Sequence, residues 1–132
     1  MNQAPVQTVL VVEDEEPLRK ALEFKFTREG FRVITAGDGE EGYRIAVHES
    51  PDIILLDIVM PKMDGMTMLK KLRAESEWGK KVPVMFLTNL SPHEDQRMKD
   101  IAETEPITFW VKANSTIQDA VDKVRIQLLR PK

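Results

Sequence analysis

A continuous apolar strand that runs directly into a carboxylate occupies the middle of this sequence. Residues 53–56 read Ile-Ile-Leu-Leu, Asp57 follows them, and a loop with Pro61 and Gly65 comes next. An apolar run without polar alternation is typical of a strand that helices cover on both faces of a parallel sheet. The carboxyl end of such a strand faces the ligand crevice of an open α/β sheet. Asp57 is therefore a candidate reactive group.

Four further segments predict strands, and segments of helical period separate them. The strands are expected at residues 8–12, 31–36, 82–87 and 107–111, and the alternating pattern of 31–36 places it nearer the sheet edge. Helix-start signals lie at Pro17 after an acidic run, Asp38 with Glu41, Gly65, Ser91-Pro92-His93-Glu94, and Ser115 with Gln118. Apolar stripes follow at Leu18, Leu22 and Phe26, at Met66, Leu69 and Leu72, and at Ile117, Val121, Val124 and Leu128. Five strands alternating with five helices predict an α/β fold, a doubly wound five-stranded parallel sheet with helices on both faces.

The composition predicts one domain, residues 1–132, with a core at about 7–130. No apolar segment is long enough to span a membrane, and 22 acidic against 19 basic residues leave no basic surface for direct nucleic-acid binding. The absence of cysteine excludes disulfides and thiolate metal sites. The amino terminus has no signal-peptide pattern, so we expect a cytoplasmic protein. His48 and His93 are interpreted as helix residues rather than metal ligands.

Four of the predicted strands end in residues that can carry chemistry. Glu13 and Asp14 follow the first strand, Asp57 the third, Thr88 the fourth and Lys112 the fifth. Because the carboxyl ends of parallel strands share one edge of the sheet, we expect these side chains to converge. Three neighbouring carboxylates need a cation, and an all-oxygen site with few ligands suits Mg²⁺, with Mn²⁺ as the alternative ion.

Such a group of residues can support phosphoryl transfer. With the cation bound, the Asp57 carboxylate is a nucleophile toward phosphorus and forms an aspartyl phosphate. The Lys112 ammonium and the Thr88 hydroxyl would hold the phosphoryl oxygens. Without a cation the acidic site would repel a phosphoryl donor, so Mg²⁺ is expected to be required.

Two segments and two strand ends carry a family resemblance. Val-Val-Glu-Asp-Glu-Glu-Pro-Leu-Arg at 11–19, Leu-Leu-Asp-Ile-Val-Met-Pro-Lys-Met-Asp-Gly at 55–65, Thr88 and Lys112 resemble the receiver domain of two-component response regulators. The likeness is to single-domain, chemotaxis-regulator-like members, and it implies a flavodoxin-like fold. It also implies phosphorelay signalling in which a sensor histidine kinase or a histidine phosphotransfer domain transfers a phosphoryl group to Asp57. The protein would be a signalling phosphoacceptor and not a dedicated enzyme.

The resemblance assigns metal-binding roles by position. Asp14 and Asp57 would bind Mg²⁺ through their carboxylates and Val59 through its backbone carbonyl. Glu13 would act mainly through water.

The resemblance also implies a conformational switch. Thr88 and Phe109 would move on phosphorylation and change a protein-binding surface on the Ser91 helix, the fifth strand and the last helix. Ala113 stands where the family usually has proline, and Asn89 stands where a small residue is common. Phe109 replaces the more usual tyrosine, so burial rather than a hydroxyl would govern its rotation.

Three other functions share parts of this pattern. The main alternative is a receiver-like adaptor that binds partners without being regulated by phosphorylation. A phosphatase of the haloacid dehalogenase type would need a second aspartate at Val59, where the apolar side chain instead predicts slow hydrolysis of the phosphoryl group. A flavin-binding electron carrier would need a glycine- and hydroxyl-rich phosphate loop after the first strand, where this chain is acidic.

Overall fold

Five strands form one sheet in the computed structural model, which describes residues 5–89, 107–113 and 115–129. The strands are β1 (Thr8–Val12), β2 (Arg32–Ala36), β3 (Ile53–Asp57), β4 (Val84–Thr88) and β5 (Ile107–Val111). The helices of these ranges are α1 (Glu16–Arg28), α2 (Gly39–Glu49), α3 (Gly65–Glu75), α4 (Glu77–Lys81) and α5 (Ile117–Leu129). All five predicted strands are present, and the predicted fold class is confirmed.

The strand order is β2-β1-β3-β4-β5, and every neighbouring pair is parallel. β3 and β4 are buried at every residue, as their unbroken apolar sequences predict. β2 lies at the edge, as predicted, and most of its residues are only partly buried. The register aligns the carboxyl ends of β1, β3, β4 and β5, pairing Val12 with Leu56, Asp57 with Leu87, and Thr88 with Val111.

The sheet separates two apolar cores, because successive strand residues point to opposite faces. Leu10 and Val12 of β1 belong to a cluster with buried residues of α2 and α3. Val9 and Val11 belong to a second cluster with buried residues of α1 and α5. The two cores hold helices against both faces of the sheet.

The inward face of α3 differs from the prediction at one position. Leu69 and Leu72 are buried as predicted, but Met66 is only partly buried, and Met68 is the fully buried methionine. The close approach of α2 at Gly42 explains the difference. A Cβ added at Gly42 would lie 3.3 Å from the Met68 sulfur, so α2 covers this side of α3.

Two helix termini follow their predicted signals. Asp38 caps α2 by accepting a hydrogen bond from the Glu41 N–H at 2.8 Å, and the Glu41 carboxylate accepts one from the Gly37 N–H at 3.1 Å. Gly30 follows α1 with a φ of +98°, a conformation that favours glycine. Local sequence therefore sets the start of α2 and the end of α1.

The first turn of α5 is capped one residue later than predicted. Thr116 and Asp119, rather than Ser115 and Gln118, exchange two reciprocal backbone-to-side-chain hydrogen bonds of 3.0 Å. The Trp110 indole N–H donates to the Thr116 carbonyl at 2.9 Å and fixes this residue at the end of the loop. A tertiary contact thus selects between two caps that the sequence allows.

The short helix α4 was not predicted. Ser76 caps it by accepting a hydrogen bond from the Gly79 N–H at 3.0 Å. The Arg73 guanidinium donates to the carbonyls of Gly79 at 2.9 Å and Val82 at 2.7 Å. A helix of five residues is too short to show an apolar period, and these contacts with α3 hold it in place.

The helix predicted from Ser91 lies within residues 90–106, outside the described residues, as does His93. His48 lies on α2 with an exposed side chain, in agreement with its interpretation as a helix surface residue. Across the described ranges, every helix is too short or too polar to span a membrane.

Candidate functional site

Three carboxylates meet where β1 and β3 end. Glu13, Asp14 and Asp57 each offer a carboxylate oxygen, and these oxygens all lie within 4.8 Å of one another. The sheet register explains the convergence, because Val12 and Leu56 are paired and the acidic residues follow them directly. Glu13 is fully buried and Asp57 nearly so, whereas Asp14 is exposed. The acidic group therefore opens to solvent on the Asp14 side.

The side chain of Lys112 reaches the same group from the end of β5. Its Nζ lies 2.9 Å from Glu13 Oε1, 3.4 Å from Asp57 Oδ1 and 3.5 Å from Glu15 Oε1. Its backbone N–H donates to the Thr88 carbonyl at 2.7 Å, which anchors the lysine beside the end of β4. The structure therefore shows the predicted convergence for the three carboxylates and the Lys112 ammonium.

These contacts change the protonation of the group. The pKa of Asp57 is raised to about 8, first by burial and then by hydrogen bonding to and repulsion from Glu13, while Lys112 opposes the shift. Burial alone lowers the pKa of Lys112, but hydrogen bonding to Glu13 and the charges of Asp57, Glu13 and Glu15 outweigh it and raise that pKa. In the protein alone, burial and Glu13 therefore oppose ionisation of Asp57, whereas the neighbouring carboxylates favour the charged form of Lys112.

The donor set fits Mg²⁺. All three groups are carboxylates, and one of them faces solvent, which suits an ion that binds few protein oxygens and keeps several waters. Among the described residues no histidine joins this set, and the chain has no cysteine, so the ligands do not favour zinc. A cation held between these carboxylates would favour their ionised forms.

A tightly packed loop holds Asp57 in place from the other side. A Cβ added at Gly65 would lie 2.3 Å from the Asp57 carbonyl oxygen, and the Gly65 N–H donates to the Ile58 carbonyl at 2.8 Å. Glycine is required here because the first turn of α3 lies directly against the end of β3. Lys62 in this loop has a φ of +68°, and its ammonium lies 3.7 Å from Asp38 Oδ2. The loop therefore contacts both the end of β3, through Gly65, and the start of α2, through Lys62.

The remaining predicted site residues lie around this group. Thr88 is the buried last residue of β4, one position beyond the partner of Asp57 in the sheet. Val59 and Asn89 are exposed. Phe109 is partly buried, and its ring packs against Phe86 with centroids 6.0 Å apart. The metal role of the Val59 carbonyl and the switch roles of Thr88 and Phe109 stay predictions.

Two contributors were missed by the sequence analysis. Glu15, a member of the acidic run before Pro17, contacts Lys112 and donates its backbone N–H to Glu13 Oε2 at 3.1 Å. Arg19 donates through its guanidinium to the Glu13 carbonyl at 2.9 Å. A basic residue in the first turn of a helix is unfavourable for the helix dipole, and this was the signal that could have drawn attention to Arg19.

Comparison with known proteins gives a consistent result. Residues 9–123 match the family model of the response regulator receiver domain. The chain is 40% identical over 90 residues to the probable transcriptional regulator ycf27 of Guillardia theta, across 68% of this chain and 34% of that protein. It is 42% identical over 80 residues to the alkaline phosphatase synthesis transcriptional regulatory protein PhoP of Bacillus subtilis, across 61% of this chain and 32% of that protein. The chain spans about a third of the length of these relatives.

A solved structure matches over a greater length. The receiver domain of the Francisella response regulator 1452 superposes with a TM-score of 0.80 at 26% sequence identity. The match covers 96% of this chain and 99% of that chain.

Proposed function

This chain belongs to the response regulator receiver domain family of two-component signalling, and from this premise we propose that Asp57 accepts a phosphoryl group in a Mg²⁺-dependent reaction. One observation carries the proposal. The buried Asp57 carboxylate lies beside the acidic pair Glu13 and Asp14 and 3.4 Å from the Lys112 ammonium, which also contacts Glu13 at 2.9 Å. This arrangement combines a nucleophile, ligands for a hard cation and a positive group for phosphoryl oxygens.

The reaction follows from the positions of these groups. When bound, Mg²⁺ would supply positive charge that neutralises the carboxylates and attracts the phosphoryl oxygens. Asp57 reacts as the carboxylate, any bound proton having been released to solvent, and one of its oxygens attacks phosphorus in line with the bond to the donor's imidazole nitrogen. The new O–P bond forms as the P–N bond breaks, and its electron pair returns to the imidazole. The product is an aspartyl phosphate.

Lys112 and Thr88 are assigned to the transferred group. The backbone of Lys112 is already anchored beside β4. Its ammonium, now 3.4 Å from the Asp57 carboxylate, therefore needs only a side-chain rotation to contact the phosphoryl oxygens attached to Asp57. Thr88, at the end of the neighbouring strand, would donate its hydroxyl to the same oxygens. The Val59 carbonyl and, through water, Glu13 are proposed to complete the coordination of the cation. Movement of Thr88 would be passed to Phe109 on β5, which packs on Phe86 of β4.

The partners follow from the chemistry of the family. The phosphoryl donor is proposed to be a sensor histidine kinase or a histidine phosphotransfer domain. The output is proposed to be a protein partner that binds β5, α5 and the segment starting at Ser91, of which residues 90–106 lie outside the described part of the chain. The relatives described above are transcriptional regulators, which supports a role in signalling.

Intact-mass measurement after incubation with acetyl phosphate and Mg²⁺ tests the proposal. We expect the native chain to gain the mass of one phosphoryl group, and the gain to be absent in Asp57→Asn and in the presence of EDTA. Asp122→Asn is the matched control, because Asp122 is an exposed carboxylate on α5 that bonds only to Gln118 among the described residues. If the native chain gains no mass, or if Asp57→Asn gains as much, a receiver-like adaptor without phosphorylation is the better description.

A further inference from the structure

We infer that Arg19 is a positioning residue for the acidic pair and thereby sets the affinity of the site for Mg²⁺. Its guanidinium holds the peptide that joins Glu13 to Asp14, so that both carboxylates face Asp57. This inference rests on the proposed function, because it assigns to Arg19 a role in the same cation site.

The contacts of Arg19 lie at the backbone of the acidic pair. Its Nη1 is 2.9 Å from the Glu13 carbonyl oxygen and 3.4 Å from the Asp14 carbonyl oxygen. The guanidinium also packs against Gly37, where an added Cβ would lie 3.5 Å from Nη1. On its other edge, the same loop is held by the Glu13 N–H, which donates to the Ala36 carbonyl at 3.1 Å. Both backbone groups of Glu13 are thus held, its N–H by the Ala36 carbonyl and its carbonyl by the Arg19 guanidinium.

The position of Arg19 in the helix argues for a specific role. Because α1 begins at Glu16, Arg19 lies in its first turn, where the helix dipole disfavours positive charge. The backbone N–H of Arg19 donates to the Glu15 carbonyl at 2.9 Å, so the residue is fully part of the helix. The two loop carbonyls, together with the charge of Glu16, therefore favour a cation at this position.

Asp14 depends on this contact more than Glu13 does. The Glu13 carboxylate is buried and is oriented by the Lys112 ammonium and the Glu15 N–H. Asp14 is exposed, so packing does not fix its backbone, and it stands among four consecutive carboxylates that repel one another. A cation on the carbonyl side of this loop reduces the repulsion and limits the rotation of the Asp14 peptide. Groups that orient metal ligands in this way commonly change metal affinity 10- to 100-fold.

The test compares Mg²⁺ affinity with stability in three variants. Arg19→Ala removes both contacts, and Arg19→Lys keeps the positive charge but lacks the planar guanidinium with its several N–H donors. Arg28→Ala is the control, because it removes an equal charge from the other end of α1. Mg²⁺ affinity is measured by isothermal titration calorimetry, and the free energy of unfolding is measured by urea denaturation in EDTA. We expect about tenfold weaker Mg²⁺ binding in Arg19→Ala, a smaller loss in Arg19→Lys and no loss in Arg28→Ala.

Each outcome has a defined meaning. Mg²⁺ affinity in Arg19→Ala within twofold of the native value, or an equal loss in Arg28→Ala, would overturn the positioning role. If Arg19→Ala does not fold, Arg19→Lys decides by the same twofold limit. A lower free energy of unfolding with unchanged Mg²⁺ affinity would show a structural role only and would also overturn the inference. If the native chain itself does not bind Mg²⁺, the proposed function fails, and this result is distinct from failure of the Arg19 inference alone.

Discussion

Lys112 Nζ lies 2.9 Å from Glu13 Oε1, although β3 and β4 separate the strands that these two residues follow. The lysine side chain therefore extends across the ends of two strands to reach the acidic pair. Glu13 is fully buried and Lys112 is largely buried, so neither charge can be solvated well without the other. This ion pair keeps the lysine poised over Asp57.

Removing Lys112 is expected to destabilise the protein. Lys112→Ala leaves the buried Glu13 carboxylate without its cation, which costs about 3–5 kcal/mol for a buried pair. Glu13→Gln in the same background should recover much of this loss. Urea denaturation of the two single variants and the double variant gives the coupling free energy, and a coupling near zero would show that the pair is not held in solution.

The stability of the protein without Mg²⁺ should fall as pH rises. The pKa of Asp57 is about 8 in the folded protein against an ordinary value of 3.8, so the folded state binds more protons than the unfolded state between these values. The contribution is therefore fully favourable below the ordinary pKa and is lost as pH rises through about 8. Asp57→Asn should flatten this dependence and raise stability near pH 8 relative to the native chain. Urea denaturation in EDTA across this range measures both effects, and an equal slope in the variant would contradict the assignment.

Mg²⁺ should make the native chain more stable than Asp57→Asn, although the variant is expected to be the more stable of the two near pH 8 without the ion. Saturation of the site to 100 times its dissociation constant is expected to raise the free energy of unfolding of the native chain by about 2.7 kcal/mol. Asp57→Asn and Asp14→Asn, which each remove one carboxylate of the group, should gain little, and Asp122→Asn should gain as much as the native chain. Thermal denaturation with and without Mg²⁺ provides the measurement. Equal stabilisation of all four proteins would place the bound ion elsewhere.

Gly65→Ala should damage the site through packing. The added Cβ would meet the Asp57 carbonyl oxygen at 2.3 Å, so either α3 or the end of β3 must move, at a cost of about 3 kcal/mol. Gly30→Ala is the matched control, because its Cβ would meet nothing within 4 Å and only the positive φ opposes it, at roughly 1 kcal/mol. Mg²⁺ affinity should fall in Gly65→Ala and remain native in Gly30→Ala. Native affinity in both variants would show that the loop does not position Asp57.

Val59 should govern the lifetime of the phosphoryl group. Its side chain is exposed, two residues after Asp57, and cannot orient a water for attack. Val59→Asn is expected to shorten the phosphoryl lifetime several-fold, whereas Val59→Ala should leave it nearly unchanged. Loss of the phosphoryl mass over time, measured by intact-mass spectrometry, distinguishes the two variants. A similar lifetime in all three proteins would remove Val59 from this role.

Much of the fold was predictable because buried parallel strands have an unmistakable pattern. Unbroken apolar runs directly before Glu13, Asp57 and Thr88 placed three strands, the segment 107–111 placed the fifth, and alternation placed β2 at the edge. The same reasoning brought Asp57, Glu13, Asp14 and Lys112 together, since parallel strands end on one side of a sheet. Short-range patterns failed where a side chain from a neighbouring element decides between local alternatives, as with the cap at Thr116 and the short helix α4.

The sequence by itself determined which side chains follow each strand: carboxylates after the first and third strands, a threonine at the end of the fourth and a lysine after the fifth. It could not determine which of these groups touch. That Lys112 reaches across to Glu13 and Glu15, and that Arg19 holds the Glu13 peptide, depends on the order in which the strands lie in the sheet and on the path of each side chain over its edge. The physical reason is that burial is a property of the assembled sheet. Only in the assembled sheet does burial raise the pKa of Asp57. Only there does Lys112 form an ion pair with Glu13, which lies far from it in the sequence.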